Sequence, residues 1–253
     1  TRHVLELWHG PTSAFKDMAL QIMPHLMSLA LKKTVESSDM LILVATSGDT
    51  GKAALEGFRD VARTRILVFY PSEGVSEVQR AQMVTQDGNN VGVVAVEGNF
   101  DDAQTGVKKI FSSVQMREVL AKKNLKLSSA NSINWGRLAP QIAYYFSAYR
   151  SLCETGKLHC GDPVNFVVPT GNFGNILAGY YAKQMGLPIN RLICASNDNN
   201  VLTDFLRTGV YDRNRPFHQT ISPSMDILIS SNLERLLYHA TDGDTGKVAS
   251  WMG

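Results

Sequence analysis

Short aliphatic and β-branched runs alternate along the chain with longer stretches whose apolar residues recur at helical spacing. The runs at 40–46 (MLILVAT), 65–71 (RILVFYP), 91–98 (VGVVAVEG) and 125–132 (LKLSSANS) read as strands. Between them, 51–62 (GKAALEGFRDVA), 76–88 (SEVQRAQMVTQDG) and 101–114 (DDAQTGVKKIFSSV) read as helices, with Ser72 or Ser76 placed to cap the second and Gly88 to end it. The order βαβαβαβ predicts a parallel sheet covered by helices.

A second series follows: a helix at 135–156 with Pro140 near its first turn, a strand at 164–168 running into a turn, and a helix at 175–186 ended by Gly186 with Pro188 beyond. A strand at 191–197 and a helix at 199–209 complete it. Residues 14–33 read as one long helix kinked at Pro24. The fold class is therefore α/β, in two lobes: a smaller one at 36–127 and a larger one made of 1–35 plus 128–253. The cleft between lobes is the default ligand site.

Composition narrows the function. Of 253 residues 44% are apolar and 19% charged, which suits a packed core rather than disorder. The 25 basic and 23 acidic side chains leave a net charge of +2 with no long basic run, so a nucleic-acid partner is not expected. No run reaches the length of a membrane span and no signal peptide opens the chain, so a cytoplasmic protein is expected. The three cysteines (Cys153, Cys160, Cys194) show neither C-x-x-C pairing nor histidines at zinc spacing, so they read as reduced thiols and no metal site is expected. Thr1 is not an initiator methionine and the chain opens almost inside a motif, so a piece of a longer protein is expected.

Three loops follow predicted strands, where parallel sheets gather their ligand-binding residues. In PTGNFGN, 169–175, Gly171 and Gly174 permit a tight turn whose N–H groups, with the helix start behind them, form a phosphate cradle; the plainer reading is a strand-to-helix turn capped by Asn172. In ATSGDTGK, 45–52, Thr46, Ser47 and Thr50 offer hydroxyls to an anion such as a carboxylate. It fails as a Walker motif, since Ala53 follows the lysine, and a capped helix with Asp49 in its first turn is the plainer account. The GDTGK string recurs at 243–247 without a strand before it and reads as a turn. In SSANSINWGRL, 128–138, Asn131, Ser132 and Asn134 end a strand, and Arg137 could fork onto a phosphate or simply lie at the surface.

The stretch HGPTSAFKD, 9–17, sets Lys16 behind a Gly-Pro turn, in a helix expected to begin near Ser13 or Ala14. The positive helix end and the apolar neighbours Phe15 and Met18 would both favour the free amine, the form that attacks an aldehyde. Taken alone, Lys16 reads as a solvated surface group. An activated amine, a phosphate cradle and a second anion site together suit pyridoxal phosphate and an amino-acid substrate.

With these residues in view, ELWHGPTSAFKD, TSGDTGKAALEGF, NSINWGRLAPQIAYYF and PTGNFGNILAGYYAKQMGLPI, in family order over positions 6 to 189, resemble the threonine synthase family. SPSMDILISSNLERLL, 222–237, extends the likeness. The resemblance implies a two-lobed, parallel-sheet pyridoxal-phosphate enzyme of fold type II, the tryptophan-synthase-β-like class, of which this chain is the middle. It implies that Lys16 is the Schiff-base lysine and that Gly171, Asn172, Phe173, Gly174 and Asn175 hold the cofactor phosphate. Thr46, Ser47 and Thr50 would face the substrate carboxylate, with Asp49 at the cofactor ring oxygen, where some relatives carry Asn. Asn131 and Arg137 match positions that bind the substrate phosphate. The family's hydroxyl partner for the pyridine nitrogen comes from a later segment, which is not found here.

The implied reaction converts O-phospho-L-homoserine and water into L-threonine and phosphate, the last step of threonine biosynthesis, with Lys16 moving protons, in a monomer or homodimer. Two alternatives use the same residues: a phospho-lyase that releases a keto acid, and a pyridoxal-phosphate-binding module without turnover.

Overall fold

The structure, a computed structural model, describes residues 1–73 and 75–252. It falls into two compact units, Thr1–Pro140 and Gln141–Gly253. These units divide the chain elsewhere than at the lobe limits 36 and 127 read from the sequence: residues 1–35 and 128–140 belong to the first unit.

In the first unit, β1 (Asp39–Ala45), β2 (Thr64–Pro71), β3 (Val91–Val96) and β4 (Leu125–Ser128) form a four-stranded parallel sheet in the order β3-β2-β1-β4. Between them lie α3 (Asp49–Phe58), α4 (Glu77–Val84), α5 (Phe100–Ser112) and α6 (Val114–Ala121). Ile42, Leu43, Val44 and Ala45 are buried in succession, so both faces of β1 are covered, which is why this strand is a continuous apolar run. One core joins Ile42, Val44, Ile66, Val68 and Tyr70 to Ala54, Leu55, Phe58 and Met83 of α3 and α4. These strand residues are all even-numbered, hence on one face. α5 touches β1 and β2 but contributes nothing to this core, so it packs on the opposite face.

Several elements differ from the sequence reading. The expected kinked helix at 14–33 is two helices, α1 (Asp17–Leu20) and α2 (Met23–Lys33), and Pro24 lies in the first turn of α2. Proline has no N–H, so the carbonyl four residues back, that of Leu20, loses its helical donor. Gly57 of α3 packs against that carbonyl: a Cβ there would lie 2.1 Å from the Leu20 oxygen. α6 was not anticipated, although Ser113, whose hydroxyl accepts from the Met116 N–H at 3.1 Å, is its N-cap signal. β4 stops at Ser128, short of the expected 132. Ser76 rather than Ser72 caps α4, accepting from the Gln79 N–H at 3.3 Å.

The helix α7 (Trp135–Glu154) passes from the first unit into the second. In the second unit, β5 (Val164–Pro169) and β6 (Ile189–Ala195) pair in parallel, with α8 (Gly174–Gln184) as their crossover. α9 (Val201–Thr208) packs on β6, and α10 (Leu233–Ala240) on α11 (Thr245–Met252). The second GDTGK string is the turn into α11, with the Asp244 carboxylate accepting from the Lys247 N–H at 2.9 Å. Among the described residues, no helix is long and apolar enough to cross a membrane.

The seat of Gly57 yields a stability prediction. Gly57→Ala places a methyl group on a main-chain oxygen and should destabilise the protein by about 1–3 kcal/mol in chemical denaturation. An unchanged midpoint would show that α1 does not depend on this contact.

Candidate functional site

Strand order locates the first part of the site. β2 and β3 run outward on one side of β1, and β4 lies on the other. The order reverses between β1 and β4, and the carboxyl ends of strands at such a reversal are where open α/β sheets bind ligands. The loops leaving there are 46–48 and 129–134, which hold Thr46, Ser47 and Asn131, and they lead into Asp49, Thr50 and Arg137.

Lys16 belongs to this unit as well, and of the two influences read from the sequence, the helix end and burial among apolar neighbours, only burial holds. Its helix begins at Asp17 and has 4 residues, too short to carry the expected dipole effect. The lysine is instead delivered by a loop built on Asp17, which the sequence reading passed over. Asp17 is buried, and its carboxylate accepts from the Thr12 N–H at 2.9 Å and the Thr12 hydroxyl at 2.6 Å. The signal was within the quoted motif: Thr12 and Asp17 bracket the lysine turn.

So placed, the Lys16 side chain is only 8% exposed, and its ammonium donates to the Asp49 carboxylate. Its Nζ lies 4.5 Å from the centre of the Phe15 ring. Burial is the largest influence on its pKa and lowers it from the ordinary lysine value; Asp49 pulls it back up, and the charge of Arg137 pushes it down again. The structure thus supports a more readily formed free amine, with burial as its cause.

The other residues of this unit are held as follows. Thr46 is buried, and its hydroxyl oxygen accepts from the Gly48 N–H at 3.0 Å and the Gly51 N–H at 2.9 Å, which ties the loop to the start of α3. Asp49 opens α3, and its second carboxylate oxygen accepts from the Thr50 N–H at 2.8 Å. Ser47 is exposed and Thr50 half-buried. Asn131 is half-buried, its side-chain oxygen accepting from the Ser129 hydroxyl at 3.1 Å. Arg137 is buried rather than on the surface, and its Nη1 donates to the Ala130 carbonyl at 3.0 Å.

In the second unit, residues 170–173 turn from β5 into α8. Phe173 stands at the N-cap with φ 65°, a left-handed conformation uncommon for a bulky side chain. Asn172, expected as the cap, precedes that position, and its side-chain oxygen accepts from the Ser231 hydroxyl at 3.3 Å; the phenylalanine ring offers no acceptor, so the helix has no side-chain cap. The first N–H groups of α8 have no acceptor within the helix and, with the positive helix end, suit an anion. Gly174 is buried at the first helical position. Asn175 follows, bound through its side-chain oxygen to the Tyr144 hydroxyl and, through its carbonyl at 2.8 Å, to the Tyr145 hydroxyl. Burial raises the Tyr145 pKa, which keeps this hydroxyl a donor. Neither tyrosine was foreseen.

A buried amine in electrostatic reach of one carboxylate and one guanidinium, and separately a helix-opening turn without a side-chain cap, are features that suit a phosphorylated aldehyde. The chain belongs to the pyridoxal-phosphate dependent enzyme family, whose sequence model matches residues 4–251. The cofactor of the family is pyridoxal 5'-phosphate, and the residues here fit it: an amine for the aldehyde, and a turn of open amides for the phosphate.

The chain is 50% identical over 248 residues to threonine synthase-like 1 of Homo sapiens, covering 95% of this chain and 33% of that protein. It is 48% identical over 245 residues to threonine synthase of Pseudomonas aeruginosa, covering 95% of this chain and 49% of that one. A crystal structure of pyridoxal-phosphate-bound threonine synthase from Brucella melitensis superimposes with a TM-score of 0.88 at 47% identity, covering 98% of this chain and 51% of that one. The chain thus spans between a third and about half of the length of these relatives. The match to that structure bears out the parallel-sheet, fold type II reading. Among the described residues, no group of three or more His, Cys, Asp or Glu is placed to hold a metal ion.

Asp49 raises the Lys16 pKa, so Asp49→Asn should lower it further. Reductive methylation with formaldehyde, followed by mass spectrometry across pH, reads the proportion of free amine at Lys16. The midpoint should lie below the ordinary lysine value of about 10.4 in the wild type and lower still in the variant. A wild-type midpoint at the ordinary value would mean that burial does not control this amine.

Proposed function

We propose that this chain carries the active-site residues of a threonine synthase, which converts O-phospho-L-homoserine and water into L-threonine and phosphate. The observation that carries the reading is the buried Lys16 amine, balanced between Asp49 and Arg137 at the point where the strand order reverses. Similarity to threonine synthases over most of this chain supports it.

Lys16 would hold the cofactor aldehyde and residues 171–175 its phosphate; the substrate amine would take the place of Lys16 on the aldehyde, which frees the lysine as an amine. The bound cofactor supplies an electron sink for charge left on the substrate carbons. Lys16 takes protons from Cα and Cβ, and as an ammonium it returns protons to the substrate at Cγ and Cα. A group with both tasks needs a pKa closer to the working pH than that of an ordinary lysine, and burial lowers the Lys16 pKa in that direction. Asp49 holds the ammonium by an ion pair between the two transfers. Arg137, always charged, faces the substrate phosphate with Asn131 and stabilises the negative charge that gathers as the Cγ–O bond breaks. Thr46, Ser47 and Thr50 hold the substrate carboxylate, with the α3 start behind them. The hydroxyl of Thr46 can still donate, because both of its short contacts use the oxygen as acceptor.

One observation favours a second reading: a relative 50% identical is named threonine synthase-like. A phospho-lyase would use Lys16 and Arg137 in the same way but release a keto acid instead of adding water at Cβ. A binding module would hold the cofactor and release no phosphate.

The full-length protein with pyridoxal phosphate and O-phospho-L-homoserine should release phosphate and threonine in equal amounts, and Lys16→Ala should abolish both. A keto acid in place of threonine selects the phospho-lyase, and absence of phosphate release selects the binding module. Arg137→Lys replaces a planar fork by a point charge. It should reduce kcat/KM by about 2–4 kcal/mol of transition-state stabilisation while cofactor affinity holds. Loss of cofactor affinity instead would assign Arg137 to the cofactor.

A further inference from the structure

The segment 222–232, SPSMDILISSN, has no role in the site so far. It runs as a strap along the turn that opens α8. At one end the buried Asp226 carboxylate accepts from the Thr220 N–H (2.9 Å), the Thr220 hydroxyl (2.7 Å), Asn197 Nδ2 (2.7 Å) and Asn199 Nδ2 (3.1 Å), which fixes the strap to the loop after β6. Its middle lies so close to Gly171 that a Cβ there would come within 3.0 Å of the Ile227 side chain and 3.3 Å of the Met225 Cα. At the other end the Ser230 hydroxyl donates to the Gly171 carbonyl at 2.6 Å. Asn232 donates to the Asn172 carbonyl twice, from its N–H at 3.1 Å and from its side-chain amide at 3.0 Å.

These bonds determine where the opposite sides of the same peptide groups point. A trans peptide is planar, with C=O and N–H directed oppositely. The Gly171 carbonyl shares its plane with the Asn172 N–H, and the Asn172 carbonyl with the Phe173 N–H. Drawing both carbonyls toward the strap turns both N–H groups away from it. With the left-handed Phe173 between them and the helix start, successive N–H groups form a concave nest of the kind that binds anions.

We propose that Ser230 and Asn232 are positioning residues for a phosphate monoester: they hold the carbonyls of Gly171 and Asn172 so that the amides of Asn172 and Phe173 point at the cofactor phosphate before it arrives. The inference rests on the reading of residues 171–175 as the phosphate cradle. Neither side chain touches the phosphate, and the strap acts only through the direction of the two peptide planes.

Pyridoxal, which lacks the phosphate, separates this role from a general structural one. The dissociation constants of pyridoxal 5'-phosphate and of pyridoxal are measured on the full-length wild type, Ser230→Ala, Ser230→Thr and Asn232→Ala. Ser230→Ala and Asn232→Ala should each lose about tenfold or more of affinity for pyridoxal 5'-phosphate, with affinity for pyridoxal unchanged. Ser230→Thr, which keeps the hydroxyl, should retain the wild-type ratio. Ser230→Ala removes a single oxygen and decides the matter if Asn232→Ala does not fold. Alanine variants that keep the wild-type ratio, or weaken both ligands equally, overturn the proposal while leaving the cradle reading intact. A wild type that binds both ligands equally overturns the cradle reading, and the inference with it.

Discussion

The ion pair between Lys16 and Asp49 is the interaction on which the proposed chemistry depends. Burial alone would leave the lysine a free amine and a ready nucleophile, but a weak base and a poor carrier of the proton it takes. A carboxylate alone would hold the proton and suppress the amine. The site does both at once: the side chain is 8% exposed, Asp49 stands against it, and Arg137 adds a repulsive charge. A buried pair of this kind contributes little net stability, because desolvation offsets most of the attraction, but removing one member leaves an uncompensated charge. The pair is therefore better explained by the proposed function than by stability.

The fold holds the two partners by separate means. Asp49 is fixed by the sheet: β1 ends at the reversal of strand order, Thr46 ties the loop to α3, and the aspartate falls in the first turn of that helix. Lys16 is fixed by a loop wrapped on Asp17 and by α1, which leans on α3 through the Leu20 carbonyl and Gly57. The proline that breaks the helix at 14–33 is part of this arrangement. It frees a carbonyl that a continuous helix would have used, and the absence of a side chain at Gly57 lets α3 come close enough to cover it.

What the sequence revealed follows from the range of each interaction. The strand at 40–46 was legible because burial on both faces writes a continuous apolar run, whereas those at 65–71 and 91–98, buried on one face or only in part, were legible from their aliphatic and β-branched content. Gly171 and Gly174 were legible as turn residues, but the left-handed position is that of Phe173, and Gly171 is needed for its closeness to Ile227 and Met225. Lys16 was identified as special for a dipole effect that a 4-residue helix cannot supply and for burial, which holds, although the extent of that burial is a tertiary feature that local pattern does not encode. Arg137 could not be told from a surface arginine for the same reason. α6 was missed because Ser113 both interrupts one helix and caps the next. Tyr144, Tyr145, Ser230 and Asn232 left no readable signal as site residues, because they bind main-chain atoms or the amide of Asn175 from distant positions.

The turn at 170–175 shows why such distant support is needed. A phenylalanine with φ 65° is held against its own preference, at a cost of order 1–2 kcal/mol. Glycine there would remove the strain but also the side chain, which is 5% exposed. The left-handed residue reverses the peptide direction so that successive amides converge, the burial of its ring keeps it in place, and the bonds from Ser230 and Asn232 hold the two preceding peptide planes. An anion arriving at such a turn meets amides already aligned, so its binding energy is not consumed in ordering them. Preorganisation of this kind reconciles a strained backbone with a fold that retains it: the strain is small beside the gain from several charge-assisted hydrogen bonds formed at once.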